Sequence, residues 1–212
     1  MSWNNAQIWE QKWHGTCQNT YGEEEKQLLY ANRMGLQLSH NGKTPYNFSM
    51  NGKTVLDIGG GVSSLLLKCL DVKGMVVDPL RVPDWVSRRY ELAEIDLYQI
   101  KGEDLGKLIF LDYNKTFFNK YPEIEGNRYD EVWIYNCLQH TEDPEFIIKN
   151  AKRYGKIIRI FEWVNTKTNE GHPQLLTEEK LNKWLGGKGK VEQLNGQANC
   201  FGKCYYGIFP SN

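Results

Sequence analysis

The chain has 212 residues, enough for one α/β domain with a well-buried core and too few for two ordinary ones. Its 26 basic and 26 acidic residues cancel, so no whole-chain field favours nucleic acid or an anionic membrane. The five cysteines (Cys17, Cys69, Cys137, Cys200, Cys204) are odd in number and scattered, and no apolar run reaches membrane-spanning length. With no charged-then-apolar leader after Met1, these features predict reduced thiols in a soluble, cytoplasmic protein. Cys200 and Cys204 have no second Cys or His pair nearby to complete four ligands, so no metal is expected.

Residues 1–50 read as a helical cap ahead of a main domain over 51–212. Ala6–Trp13 is amphipathic, and Gly22–Leu38 sets Leu28, Leu29, Ala31, Met34 and Leu38 at roughly helical spacing. Between them His14–Gly22 is a polar, glycine-bracketed loop, and the Asn-Gly turns at 41–42 and 51–52 introduce the first strand. From Thr54 onward strands and helices alternate. Strands are expected at Thr54–Ile58, Gly74–Val77, Leu97–Ile100, Glu131–Tyr135 and Lys156–Phe161. Helices are expected at Ser64–Cys69, Trp85–Ala93, Pro144–Tyr154 and Thr177–Leu185, the last with Thr177 as its cap. Near-continuous apolar strands in this order predict a single doubly wound α/β domain, its sheet mostly parallel and covered by helices on both faces. Lys190–Leu194 and Cys204–Phe209 have only a Gly/Asn-rich segment between them, which predicts an antiparallel C-terminal hairpin on the sheet edge.

The chemistry begins at Val55-Leu56-Asp57-Ile58-Gly59-Gly60-Gly61-Val62-Ser63-Ser64, an apolar strand that passes through an acid into a glycine turn. Glycines there permit a sharp turn and close approach of a nucleotide-like ligand. A dinucleotide turn (Gly-x-Gly-x-x-Gly) needs a third glycine where Ser64 stands. A carboxylate at Asp57 would repel a pyrophosphate but attract a ligand bearing an ammonium group; the plainer alternative is a structural junction with Asp57 capping a helix. Asp78, about 20 residues on and at the end of the second strand, suits the ribose hydroxyls of an adenosine, or else caps the helix that follows. Gly102, Glu103 and Asp104 either approach an adenine edge or form an ordinary turn.

Tyr129-Asp130-Glu131-Val132-Trp133-Ile134-Tyr135-Asn136-Cys137-Leu138-Gln139-His140-Thr141-Glu142-Asp143-Pro144 resembles the fourth strand and following loop of class I S-adenosylmethionine-dependent methyltransferases. Val55–Ser63 resembles the first motif of that family, Val77-Asp78 the second, and Gly171-His172-Pro173 with Leu176–Glu179 the segment after the fifth strand. The likeness spans roughly 54–209 and departs from the family at Gln139, where many members have Glu, and at Ser63, where the first motif has glycine. It implies a Rossmann-like, seven-stranded fold and S-adenosyl-L-methionine as cofactor. It further implies that Asp57, Gly59, Gly60, Gly61 and Ser63 line the methionine end, Asp78 and Pro79 the ribose, Gly102, Glu103 or Asp104 the adenine, and Asn136, Cys137 and Leu138 the sulfonium. Trp13, Gly15 and Tyr21 would close over the cofactor, unless the cap is a surface element without ligand contact.

Methyl transfer is a direct displacement that needs alignment and, for some acceptors, a base. Candidates are His140, Glu162 and His172, which follow sheet strands at their carboxyl ends. The alternative for His140 is to hold its loop while neutral, and for His172 to be a turn residue. The expected acceptor is a small molecule, a sugar or another non-base group rather than nucleic acid, because Asn136-Cys137-Leu138-Gln139 replaces the Asn/Asp-Pro-Pro-aromatic motif of base methylation. Two alternatives remain: a non-catalytic S-adenosylmethionine-binding module, and a nicotinamide-dependent oxidoreductase.

Overall fold

The computed structural model describes residues 3–16, 21–39, 47–100, 119–123 and 128–211. Two helices, α1 (Trp3–Thr16) and α2 (Tyr21–Arg33), precede the sheet. The strands are β1 (Phe48–Ile58), β2 (Cys69–Asp78), β3 (Asp96–Gln99), β4 (Tyr129–Tyr135), β5 (Gly155–Trp163), β6 (Lys190–Asn195) and β7 (Phe201–Pro210). Helix α3 (Asp84–Leu92) lies between β2 and β3, α4 (Pro144–Tyr154) between β4 and β5, and α5 (Glu178–Leu185) between β5 and β6. Among the described residues no helix is long and apolar enough to cross a membrane.

The strands form one seven-stranded sheet in the order β3-β2-β1-β4-β5-β7-β6. Pairing is parallel from β3 to β5 and antiparallel on both sides of β7. Successive side chains of a strand point to opposite faces. Both faces are therefore apolar in the central strands. Leu56, Ile58, Val132 and Ile134 pack with Ile147 and Ile148 of α4 and Leu181 and Leu185 of α5. Val55, Val76, Trp133 and Phe161 pack on the other side with Leu29, Tyr30 and Met34 of α2 and Val86 and Tyr90 of α3. Two packed faces explain why these strands read as unbroken apolar runs. The Asp143 carboxylate accepts from Phe146 N at the start of α4, and Thr177 caps α5, which ends at Gly186 in the left-handed region.

One expectation needs correction. The helix predicted over Ser64–Cys69 is absent: short 3-10 turns at Gly61–Ser63 and Leu65–Lys68 run straight into β2. Ser64 interrupts them with extended backbone (φ −54°, ψ 133°), and β2 begins at Cys69, too early for a helical crossover of ordinary length. The C-terminal strands do pair antiparallel, as a hairpin on the sheet edge. β7 is inserted between β5 and β6, leaving β6 as the edge strand. The sheet also starts earlier than residue 51, since β1 opens at Phe48 and Phe48 bridges to Leu38.

Candidate active site

The glycine turn leaves the carboxyl end of β1, where open α/β sheets bind ligands. Gly59 (φ +78°) and Gly61 (φ +50°) both occupy the left-handed region. A Cβ on Gly59 would lie 2.7 Å from Cys137 Cβ, and one on Gly61 would lie 2.7 Å from His14 Cε1, so neither position tolerates a side chain. Gly60 likewise leaves room for the Asp57 carboxylate.

Asp57 is fully buried beneath this turn and does not line the cavities above it. Its Oδ2 accepts from Ser64 Oγ at 2.5 Å and from Tyr135 Oη at 2.6 Å. Its Oδ1 has no partner among the described residues. Burial pushes its pKa up to about 7, against the lowering effect of the two hydroxyls. Through Oδ2 the carboxylate braces the turn from beneath. Asp57 does not cap a helix.

Asp78 ends β2 and caps a turn rather than a helix: its Oδ1 accepts from Leu80 N at 2.8 Å, while α3 starts at Asp84 after Pro83. Asp78, Pro79 and Leu80 line a cavity of about 60 Å³ with Gly59, Asn136 and Cys137. Burial raises the Asp78 pKa to about 7.

Across the turn, Asn136 (φ +50°) redirects the chain out of β4. The amides of Cys137 and Leu138 both donate to Glu162 Oε1 at 3.0 Å. Glu162, proposed as a base, is fully buried and lines neither cavity; it anchors the loop from behind, and burial raises its pKa to about 8. Leu138 belongs to the core and not to a cavity wall. His140 and His172 do come together, with ring centroids 4.6 Å apart.

A second cavity, of about 170 Å³, is lined by Gly59, Gly60, Ser63, Asn136, His140 and His172, and by Trp9, Glu10, Trp13 and His14 from α1. Glu10 and His14 line both cavities, so α1 forms the wall between them. The region expected to be a closing loop is in fact helical through Thr16: Trp13 faces the cavity, whereas Gly15 is exposed with nothing near it. Tyr21 opens α2, and its side chain lies outside the described residues, as do Gly102, Glu103 and Asp104.

Two site residues carried no signal in the sequence. His14 is buried against Gly61, and desolvation lowers its pKa to about 4. Glu10 Oε1 lies 3.2 Å from His140 Nδ1, and burial together with the nearby Asp78 charge raises the Glu10 pKa to about 7. Only the docking of α1 brings these residues to the turn.

The donor set suits an adenosine-type ligand: a glycine turn opposite a strand-end carboxylate, beside a polar loop. The space does not yet suit it, since small-molecule sites usually enclose roughly 300 Å³ or more. The His14 ring of α1 sits over Gly61 between the two cavities.

No protein-family model and no curated protein matches the chain. Solved structures do. N-methyltransferase NodS from Bradyrhizobium japonicum, in complex with S-adenosylhomocysteine, is 12% identical, with 97% of this chain and 98% of that one covered at a TM-score of 0.55. A DhpI–S-adenosylhomocysteine complex is 11% identical over 98% and 96% of the two chains, TM-score 0.56. The [4+2]-cyclase SpnF is 15% identical over 82% and 61%, TM-score 0.50. Some matched proteins are longer, and the chain spans about half the length of a putative S-adenosylmethionine-dependent methyltransferase from Streptococcus mutans. The fold is that of the class I S-adenosylmethionine-dependent methyltransferases.

Proposed function

We propose that the protein is an S-adenosylmethionine-dependent methyltransferase acting on a small-molecule, sugar or other non-base acceptor. The observation that carries this is the position of Asp78, whose buried carboxylate lines a cavity beside the Gly59–Gly61 turn in a sheet of this strand order. Asp78 would accept hydrogen bonds from ribose hydroxyls, with Pro79 and Leu80 beside it. Gly60 and Ser63 line the other cavity and would face the methionine end, and Glu103 or Asp104, which lie outside the described residues, would approach the adenine. When bound, the cofactor would supply an electrophilic methyl on a sulfonium sulfur that would keep the C–S electron pair when the acceptor's lone pair takes the methyl. Asn136 and Cys137, which line the cavity with Asp78, would flank that centre. His140, at the wall of the larger cavity, takes the acceptor's proton.

The test is incubation of the full chain with methyl-labelled S-adenosylmethionine and a mixture of low-molecular-weight hydroxyl and amine acceptors. Label in the small-molecule fraction, abolished by His140→Ala, is the expected result. Cofactor binding without transfer to any acceptor would mark a binding module, and NADH binding without affinity for the methyl donor would mark an oxidoreductase.

A further inference from the structure

The cap helix brings to His140 a carboxylate that the fold itself does not require. We propose that Glu10 positions His140 as a proton acceptor, and that the site therefore takes an acceptor whose attacking atom carries both a lone pair and a proton, a hydroxyl or a neutral amine with an N–H. This rests on the methyltransferase reading for the identity of the proton donor alone.

Hydrogen bonds assign the ring protons. His140 Nδ1 lies 2.6 Å from Gly171 O, and a carbonyl only accepts, so Nδ1 carries the hydrogen. Glu10 Oε1, 3.2 Å from the same nitrogen, shares that donor. Nε2 is then a lone pair, which agrees with the Gln139 amide nitrogen 3.4 Å away. His172 has the opposite tautomer. Asn169 Oδ1 accepts from Gly171 N at 2.9 Å and His172 N at 3.0 Å, which turns its amide nitrogen toward His172 Nδ1 at 3.2 Å. That nitrogen only donates, so His172 carries its hydrogen on Nε2.

Glu10, His140 and His172 also have ligand-type atoms within 4.8 Å of one another, an arrangement that invites a divalent metal. The tautomers oppose it. A metal needs a ring lone pair aimed at it, fixed by donation from the other nitrogen. The Nδ1 of His172 is occupied as an acceptor and its Nε2 is protonated. The pair Glu10–His140 instead has the layout of a base with its orienting carboxylate. As the acceptor's attacking atom bonds to the methyl carbon, its proton passes to His140 Nε2. The imidazolium so formed donates through Nδ1 to Gly171 O and to the Glu10 carboxylate. Burial keeps His140 neutral before that step, with its pKa lowered to about 4, and Glu10 ionises at about 7.

The test is a two-bond proton–nitrogen correlation spectrum of the full chain with nitrogen-15 histidine, recorded across a pH series. The charged or titratable groups facing His140 across the two cavities are Glu10, His14, Glu23, Lys26, Tyr30, Tyr135, Cys137, His172 and Asp78. The expected result is His140 as the Nδ1–H tautomer and His172 as the Nε2–H tautomer. His140 nitrogen shifts should inflect near pH 7, an inflection abolished in Glu10→Gln and kept in Glu10→Asp, which separates Glu10 from Asp78. An Nε2–H tautomer at His140, or an inflection that survives Glu10→Gln, overturns the proposal. So does stoichiometric Zn²⁺ binding that shifts both His140 and His172. A parallel S-adenosylhomocysteine titration keeps the two failures apart. Binding with the wrong tautomers removes Glu10's role alone, and correct tautomers without binding remove the methyltransferase reading and the acceptor class with it.

Discussion

At Asp57 one carboxylate oxygen accepts from two hydroxyls, and each hydroxyl accepts a backbone amide in turn: Leu66 N donates to Ser64 Oγ at 3.1 Å, and Leu65 N to Tyr135 Oη at 2.9 Å. This network, not a helix, fixes the chain after the glycines, and it explains why serine stands where a dinucleotide turn has glycine. Tyr135→Phe removes the donor to Asp57 and strands the buried Leu65 amide. It is expected to cost about 1–3 kcal/mol in urea unfolding, with the Asp57 pKa pushed higher still. The acid was legible in the sequence and its role was not. Tyr135 is 78 positions away, and only the parallel pairing of β1 with β4 brings the two together. Asp78 was legible for a better reason, since a strand end next to the glycine turn is a position that topology alone determines.

Among the elements, β1, β4 and β5 are pinned across the sheet by one buried carboxylate. Glu131 accepts from Lys53 at 2.7 Å, from Arg159 at 2.6 and 3.0 Å, and from Trp133 Nε1 at 2.9 Å. Arg159 also donates to the carbonyls of Met34 and Gly35, so the end of α2 is tied to the same point. Glu131→Gln leaves that guanidinium buried without its counter-charge and is expected to cost roughly 3–5 kcal/mol in chemical denaturation. Helix α1 behaves differently. Its polar side chains reach the site, yet the His14 ring occupies the space over Gly61 that a cofactor must share. His14→Ala should tighten S-adenosylhomocysteine binding several-fold by calorimetry, because the binding-competent arrangement then no longer competes with that contact. The existence of α1 was legible from its spacing, but its docking was not, since its sequence carries no motif that names Gly61 or His140 as neighbours. The edge hairpin of β6 and β7 was legible because only a short Gly/Asn-rich segment joins the two strands, which leaves antiparallel pairing as the one connection open to them.

For the whole molecule, burial of charge sets the pH dependence of stability. Asp57, Asp78 and Glu10 ionise near 7 and Glu162 near 8 in the folded chain, all above their ordinary values. Such groups stabilise the fold below their unfolded pKa, and that contribution is lost as pH rises through the folded value. His14 and His140 act in the opposite sense between about 4 and 6.5, because only the unfolded chain is protonated there; His172, also lowered, joins them. The two sets largely offset each other up to pH 6.5. Beyond it only the carboxyls still titrate, so urea midpoints are expected to fall most steeply between about pH 6.5 and 8 and then level off. A midpoint that rises through that window would contradict the assignment of these carboxyls as buried and protonated. The central claim, that the Gly59–Gly61 turn and Asp78 form an S-adenosylmethionine site, is tested most directly by calorimetric titration of the full chain with S-adenosylhomocysteine above pH 8. One saturable site per chain, weakened at least about tenfold by Asp78→Asn through loss of a charged acceptor, is the predicted result. No binding, binding indifferent to Asp78→Asn, or saturable binding of NADH in its place would contradict it.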